Sequence, residues 1–432
     1  LTRVLLVCPE PLGHGRPAGI GIRFLEMANV LTAGGHSVTL LSPDAANIDR
    51  CGARSDGITP ESLLRYSGEA DVAVVQGHMA NDFFAHARPI PTVVDLYDPF
   101  IIENLHYHAS RGSEVFTHDH ATLVNSLMRG DTFLCASEAQ RLFYIGLLLA
   151  VGRVNPPLFE SDPRLETLVR IAPFGVPPPR NVARALSSRT PAGVPAPRSA
   201  GVPAPRSAGV PGPRSAVPAP NILFGGIYDW YDPILAIDAV NIARHSFPNL
   251  TLTFNTHPNP ELTPQRKLAA AMKHAKRFDF VRFEPWVPYD ERGAYFDRFA
   301  LGLLTFRQSL ETDLSMRTRL YDYLWGGLPV VSSSAPGTDE LLTRYDAGIV
   351  VRSESPRDVA DAILRALGAP MHEGARRFTL DHQWSRTLAP LLDFVQEPRF
   401  DAHKETFAVQ PEVAGQPRSI LQRIKRRIGG AP

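Results

Sequence analysis

Between Pro177 and Pro220 the chain turns into a run of proline, glycine, alanine, serine and arginine. The unit AGVPAPRS starts at Ala192 and again at Ala200, and returns with one glycine substitution at Ala208. Proline and glycine at this density prevent a regular helix or sheet and favour an extended, polyproline-like spacer. So short and polar a unit cannot stack into a solenoid core. Its arginines Arg198, Arg206 and Arg214, with no acid between them, are expected to be solvated. The run therefore divides the chain in two, and each half must bury its own apolar surface.

Length agrees with that division: 432 residues exceed one ordinary hydrophobic core. A hydrophobic share of 44% suits a soluble globular chain, and a net charge of +1 gives no general attraction to nucleic acid. Cys8, Cys51 and Cys135 make neither a disulfide framework nor a metal cluster, which fits a reducing cytoplasmic setting. No apolar run reaches membrane-spanning length, and Val4 to Val7 is a first strand rather than a leader. The opening Leu1 implies an alternative start or a trimmed end.

Both halves read as alternating strands and helices, an α/β pattern. In the first, RVLLVC is a buried strand, a turn with Gly13, Gly15, Gly19 and Gly21 follows, and then a helix and the strand HSVTLLSP. Glycines at such a turn let backbone amides approach a phosphate or a sugar at the helix start, although a tight turn without ligand gives the same pattern. The loop is too long for a nicotinamide fingerprint. The strands ADVAVVQG and TVVDLYDP end in polar residues, and ligands in open α/β sheets sit at the carboxyl ends of strands. Gln76, Gly77, His78, Asp95, Asp98 and Glu103 are therefore expected near a cleft. Asp98 is a candidate to orient a hydroxyl, against the plainer role of a turn residue before Pro99. His106, His108, His118 and His120 lack a metal-ligand spacing.

In the second half NILFGGIYDWYDP gives a strand, the Gly225-Gly226 turn, and a helix opening at Asp232-Pro233. The stretch Glu311 to Ser334, ETDLSMRTRLYDYLWGGLPVVSSS, gathers Glu311, Asp313, Arg317, Arg319 and Asp322 around a helix that ends in Gly326-Gly327 and feeds a buried strand. As a plain structural feature, acids near a helix start favour its dipole.

These segments, with LCASEAQRLFYIGLLLAVGRV and the exit PFGV in the first half, resemble the retaining glycosyltransferases of group 1, family 4, of the GT-B fold. The resemblance implies two Rossmann-like domains facing across a cleft: residues 1–176 on the acceptor side, a linker at 177–220, a nucleotide-sugar donor domain at 221–370, a helix crossing back at 371–400, and a basic tail at 401–432. It implies transfer of a sugar from a nucleotide-diphosphate donor to a hydroxyl of a glycan, a lipid-linked acceptor or a small molecule, with retention and with neither cofactor nor essential metal. Asp98 and Glu311 or Asp313 take the catalytic roles. Gly225, Gly226, Trp286, Val287, Arg317, Arg319, Tyr321 and Asp322 bind the donor, and Gly19 and Gly21 form an acceptor or phosphate loop.

Two departures stand out. The family carries two acids with seven residues between them, but eight positions before Asp322 stands Leu314, so the first acid is Glu311 or Asp313. The arginine and lysine usual behind the Gly-rich turn are replaced by Tyr228, Asp229, Trp230 and Tyr231, so the diphosphate charge must be met elsewhere, with Arg317 and Arg319 as candidates. The alternatives are a nucleotide-sugar epimerase on the same fold, a catalytically weak sugar-nucleotide-binding partner subunit, or a membrane scaffold. In the tail, residues 418–428 hold Arg418, Arg423, Lys425, Arg426 and Arg427 with Ile420, Leu421, Ile424 and Ile428 on one helical face. Such a helix can lie on an anionic membrane, here the inner face of the cell membrane, and a solvated tail is the alternative. No nucleic-acid partner is expected.

Overall fold

The computed structural model describes residues 1–13, 17–44, 52–107, 112–180, 220–256, 264–369 and 371–404. The repeat units at 192–219 and the basic stretch 418–428 lie outside the described residues.

Two parallel sheets carry the molecule. The first holds β1 (Arg3–Val7), β2 (Ser37–Ser42), β3 (Arg54–Gly57), β4 (Val72–Val75), β5 (Thr92–Asp95), β6 (Thr132–Cys135) and β7 (Val169–Ile171), in the order β3-β2-β1-β4-β5-β6-β7. The second holds β8 (Asn221–Gly226), β9 (Thr251–Thr256), β10 (Val281–Pro285), β11 (Leu301–Leu304), β12 (Val330–Ser333) and β13 (Gly348–Val351), in the order β10-β9-β8-β11-β12-β13. Central strands such as VAVV, TFLC and LGLL are buried along their whole length, because helices cover both faces of each sheet. The order of strand addition switches sides between β1 and β4 and again between β8 and β11, and the segments that follow β1, β5 and β8 open on the same cleft.

Several helix starts follow the sequence signals. Ser137 accepts from the Gln140 amide, and Asp232 accepts from the Leu235 amide ahead of Pro233–Ala243. The polar stretch that begins at Glu311 forms two short helices, Leu310–Leu314 and Thr318–Trp325, with Ser309 and Thr312 closing a capping box on the first.

The lobes share one apolar core. Phe174 stands between them, edge-on to Tyr321 at 6.1 Å and to Trp384 at 4.6 Å. Across the join, the Gln140 side-chain amide donates to the Tyr97 carbonyl at 3.0 Å and to the Leu314 carbonyl at 2.9 Å. The C-terminal helices Trp384–Thr387 and Ala389–Gln396 return to the first lobe, where the Thr2 hydroxyl donates to the Val395 carbonyl at 2.8 Å. The return continues past residue 400. Asp401 pairs with buried Arg153 at 2.7 Å, Lys404 pairs with Asp131 at 2.7 Å, and the Asn155 amide donates to the His403 carbonyl. No helix among the described residues is long and apolar enough to cross a membrane.

Candidate active site

At the end of β8 the register against β9 slips between Leu223 and Gly225, and Gly225 takes φ +73°, a conformation that favours glycine. The turn makes room for a guanidinium. A Cβ at Gly225 would stand 2.6 Å from Arg319 Nη1 and 2.8 Å from the Tyr323 hydroxyl, and one at Gly226 would also collide with Arg319. Arg319 is 8% exposed and lies 5.1 Å from the Tyr228 ring centre and 5.4 Å from that of Trp286. Among the described residues its guanidinium makes no hydrogen bond and no ion pair. A buried cation held only by ring faces and glycine backbone is a place for an anion.

Arg319 lines two adjoining cavities. The larger, about 440 Å³, lies between the lobes, with Asp98, Glu103 and Gly19 on one side and Tyr228, Trp230 and Arg317 on the other. The smaller, about 20 Å³, is walled by Gly225, Trp286, Val287, Arg292 and Asp322. There Arg292 donates to Asp322 at 3.0 Å and lies 4.9 Å from the Trp286 ring centre, so Trp286 sits between two guanidinium groups. Burial pushes the Asp322 carboxyl up, and Arg292 and Arg319 oppose that rise.

On the first lobe the helix Gly19–Ala33 points its N-terminus at the large cavity. Its terminal amides are already engaged: Ala18 and Gly21 donate to the Glu10 carboxylate, Gly21 at 2.6 Å. Burial raises Glu10, against those two bonds. Gly19 faces the cavity, while a Cβ at Gly21 would strike Leu12 and Pro17 at 2.9 Å, so Gly21 serves close packing. Beyond β5, Asp98 and Glu103 share a hydrogen bond; burial raises Asp98 to about 6 and takes Glu103 well above the usual carboxyl range. Ser315 of the second lobe donates to Glu103 Oε1 at 2.7 Å.

The expected site residues thus fall into three groups. Asp98, Gly19, Gly225, Gly226, Trp286, Val287, Arg319 and Asp322 come together around the two cavities. Glu311 and Arg317 lie behind this wall as a buried bidentate pair at 2.5 and 2.6 Å, with Arg317 reaching the large cavity. Asp313 is exposed and lines neither cavity, and Tyr321 is 1% exposed against Phe174, Phe378 and His382. Sequence reasoning did not single out Arg292, Glu10 or Ser315. Arg292 and Ser315 act through partners distant in sequence and Glu10 through backbone amides at the next helix start, and no local motif marks them. Among the described residues no group of three or more histidines, cysteines or carboxylates is placed to hold a metal ion.

The comparisons with known proteins agree with this architecture. Residues 220–369 match the family described as glycosyl transferases group 1. A comparison with curated protein sequences returns no match. Among solved structures, HepE of Anabaena in complex with UDP and glucose superposes with a TM-score of 0.60 at 12% identity, covering 92% of this chain and 100% of that one. The trehalose-6-phosphate synthase OtsA gives 0.62 at 13% identity, over 92% and 100%. Sucrose-phosphate synthase of Thermosynechococcus elongatus gives 0.58 at 13%, over 92% and 98%. Residues 220–369 thus match glycosyl transferases group 1, and the chain has the two-sheet GT-B fold of the glycosyltransferases it superposes on.

Proposed function

We propose that the protein moves a sugar from a nucleotide-diphosphate donor to a hydroxyl acceptor with the anomeric configuration retained. The observation that carries this reading is Arg319, a buried guanidinium without an anionic partner among the described residues, set against the Gly225-Gly226 turn. It stands in for the missing arginine and lysine of the family pattern and takes the diphosphate. Asp322 holds the ribose hydroxyls once Arg292 yields one carboxylate oxygen, and Trp286 and Val287 border the base. HepE, crystallised with UDP and with UDP-glucose, supports a donor of this class. Residues 1–176 then present the acceptor and 221–370 hold the donor, with 371–400 joining the two.

The acceptor hydroxyl lies on Asp98 and attacks the anomeric carbon from the face of the departing diphosphate. The bond from that carbon to the phosphate oxygen breaks as the new glycosidic bond forms. The leaving nucleoside diphosphate carries off the hydroxyl proton. Arg319 stabilises the charge that grows on the leaving oxygen, and this calls for no bound metal. Glu311 fits the first-acid role better than Asp313, because it lies behind the cavity wall with Arg317 while Asp313 faces solvent. Arg319→Ala is expected to lower nucleotide-sugar turnover by about 10²–10³-fold. Arg319→Lys, which keeps the charge and loses the fork, should recover only part of it. Wild-type turnover in Arg319→Ala would refute the reading, as would turnover abolished by a metal chelator.

A further inference from the structure

Four carboxyl groups meet where β5, the segment after it and the helix Leu310–Leu314 converge: Asp95, Asp98, Glu103 and Glu311. Among the described residues two arginines pair with this group, and both are committed. Arg23 is bidentate on Asp95 at 2.7 and 3.1 Å, and Arg317 is bidentate on Glu311 at 2.5 and 2.6 Å. That leaves Asp98 and Glu103 hydrogen-bonded to each other with no cation of their own among the described residues. Among the described residues the remaining groups around them include Tyr97 and Tyr144, both pushed far above neutrality by burial, and the hydroxyl of Ser315. Two adjacent buried carboxylates without a cation cannot both ionise; they keep one proton between them.

We propose that Glu103 is a positioning residue for transfer: it holds the shared proton against Asp98, leaving Asp98 ionised toward the acceptor hydroxyl, and Ser315 ties it to the donor lobe. The chemistry divides the roles. Asp98 follows β5 directly and opens on the cavity, where an ionised carboxylate can accept a hydroxyl proton in a hydrogen bond. Glu103 lines the same cavity but accepts from Ser315 on Oε1 and shares a hydrogen bond with Asp98, so it is the more engaged of the two within the protein. The inference rests on the acceptor-side role proposed above for Asp98.

Infrared spectroscopy of the full chain at neutral pH, without substrate, tests the proton assignment. Wild type should show a protonated buried carboxyl band that persists in Asp98→Asn and vanishes in Glu103→Gln. Its persistence in Glu103→Gln, or its absence from wild type, overturns the proposal. The positioning role is read from the acid limb of nucleotide-sugar turnover, expected near the Asp98 value of about 6. Glu103→Leu removes the donor and should move that limb up by about one pH unit or more, whereas isosteric Glu103→Gln, which still donates, should hold it in place. A structural role alone would lower the rate in both variants without moving the limb, and that result also overturns the proposal. A wild type that binds no nucleotide sugar would remove the function proposed above while leaving the infrared result standing.

Discussion

Arg317 and Arg319 sit two positions apart and carry the same charge, yet the fold gives them opposite duties. Arg317 is closed on Glu311, both nearly inaccessible to water, so it stabilises the wall rather than greeting a ligand. Removing one member strands the other: Arg317→Ala and Glu311→Gln are each expected to lower unfolding stability by roughly 3 kcal/mol, measured by denaturant titration. Arg319→Ala should leave stability nearly unchanged or raise it, because it deletes a buried cation that makes no ion pair among the described residues and feels Asp322 only at longer range. Asp322→Asn should weaken nucleotide binding in calorimetry and release Arg292. Asp98 makes a signed prediction. Its folded value near 6 lies above the usual aspartate value, so the folded state keeps a proton that the unfolded chain has already lost. Its contribution to stability is full below about pH 4 and is lost as pH rises through about 6, and Asp98→Asn should flatten the stability profile over that interval. Both arginines were visible in the sequence as charges beside a helix start. Which one met Glu311 was not, because that choice depends on how Leu310–Leu314 folds back on the helix after it.

Among the elements, parallel strands were the most legible. Buried on both faces, they appear as unbroken apolar runs, and VAVV, TVVD and LGLL need no periodicity to be recognised. The helix Thr318–Trp325 was harder to read. Arg319, Leu320, Tyr321, Tyr323 and Leu324 are all buried, so its residues do not sort into a cleft face and a core face. Tyr321 belongs to the packing between lobes, while its neighbour Asp322 borders the small cavity. The glycine turn after β8 has a conformation only glycine tolerates easily and a guanidinium pressed against it. Gly225→Ala is expected to displace Arg319 and raise the nucleotide Kd at least about tenfold, with the fold intact by circular dichroism. At Gly175 an added methyl would meet the Trp384 ring within 2.6 Å and Thr387 at 2.8 Å. Gly175→Ala is therefore expected to lower stability by about 1–3 kcal/mol in thermal or denaturant melts.

For the whole molecule, the two halves foreseen from the proline-rich divider are present as two sheets, but they do not pack as independent bodies. One apolar cluster runs through both, from Val4 to Val395. Ligand binding to such a molecule should register globally. A nucleoside diphosphate at a hundred times its Kd should stabilise the chain by about 2.7 kcal/mol, read as a thermal shift, and the shift should disappear in Arg319→Ala. The return of the chain to the first lobe has a further consequence, for the order of synthesis. Asp131, Arg153 and Asn155 are made early, but their partners Asp401, His403 and Lys404 leave the ribosome hundreds of residues later. In the interval a nearly waterless arginine has no counter-ion, so the front lobe must wait, incomplete, for the far end of its own polypeptide. Nascent chains halted before residue 401 should stay protease-sensitive around Arg153, and those halted late enough to expose Lys404 should become resistant.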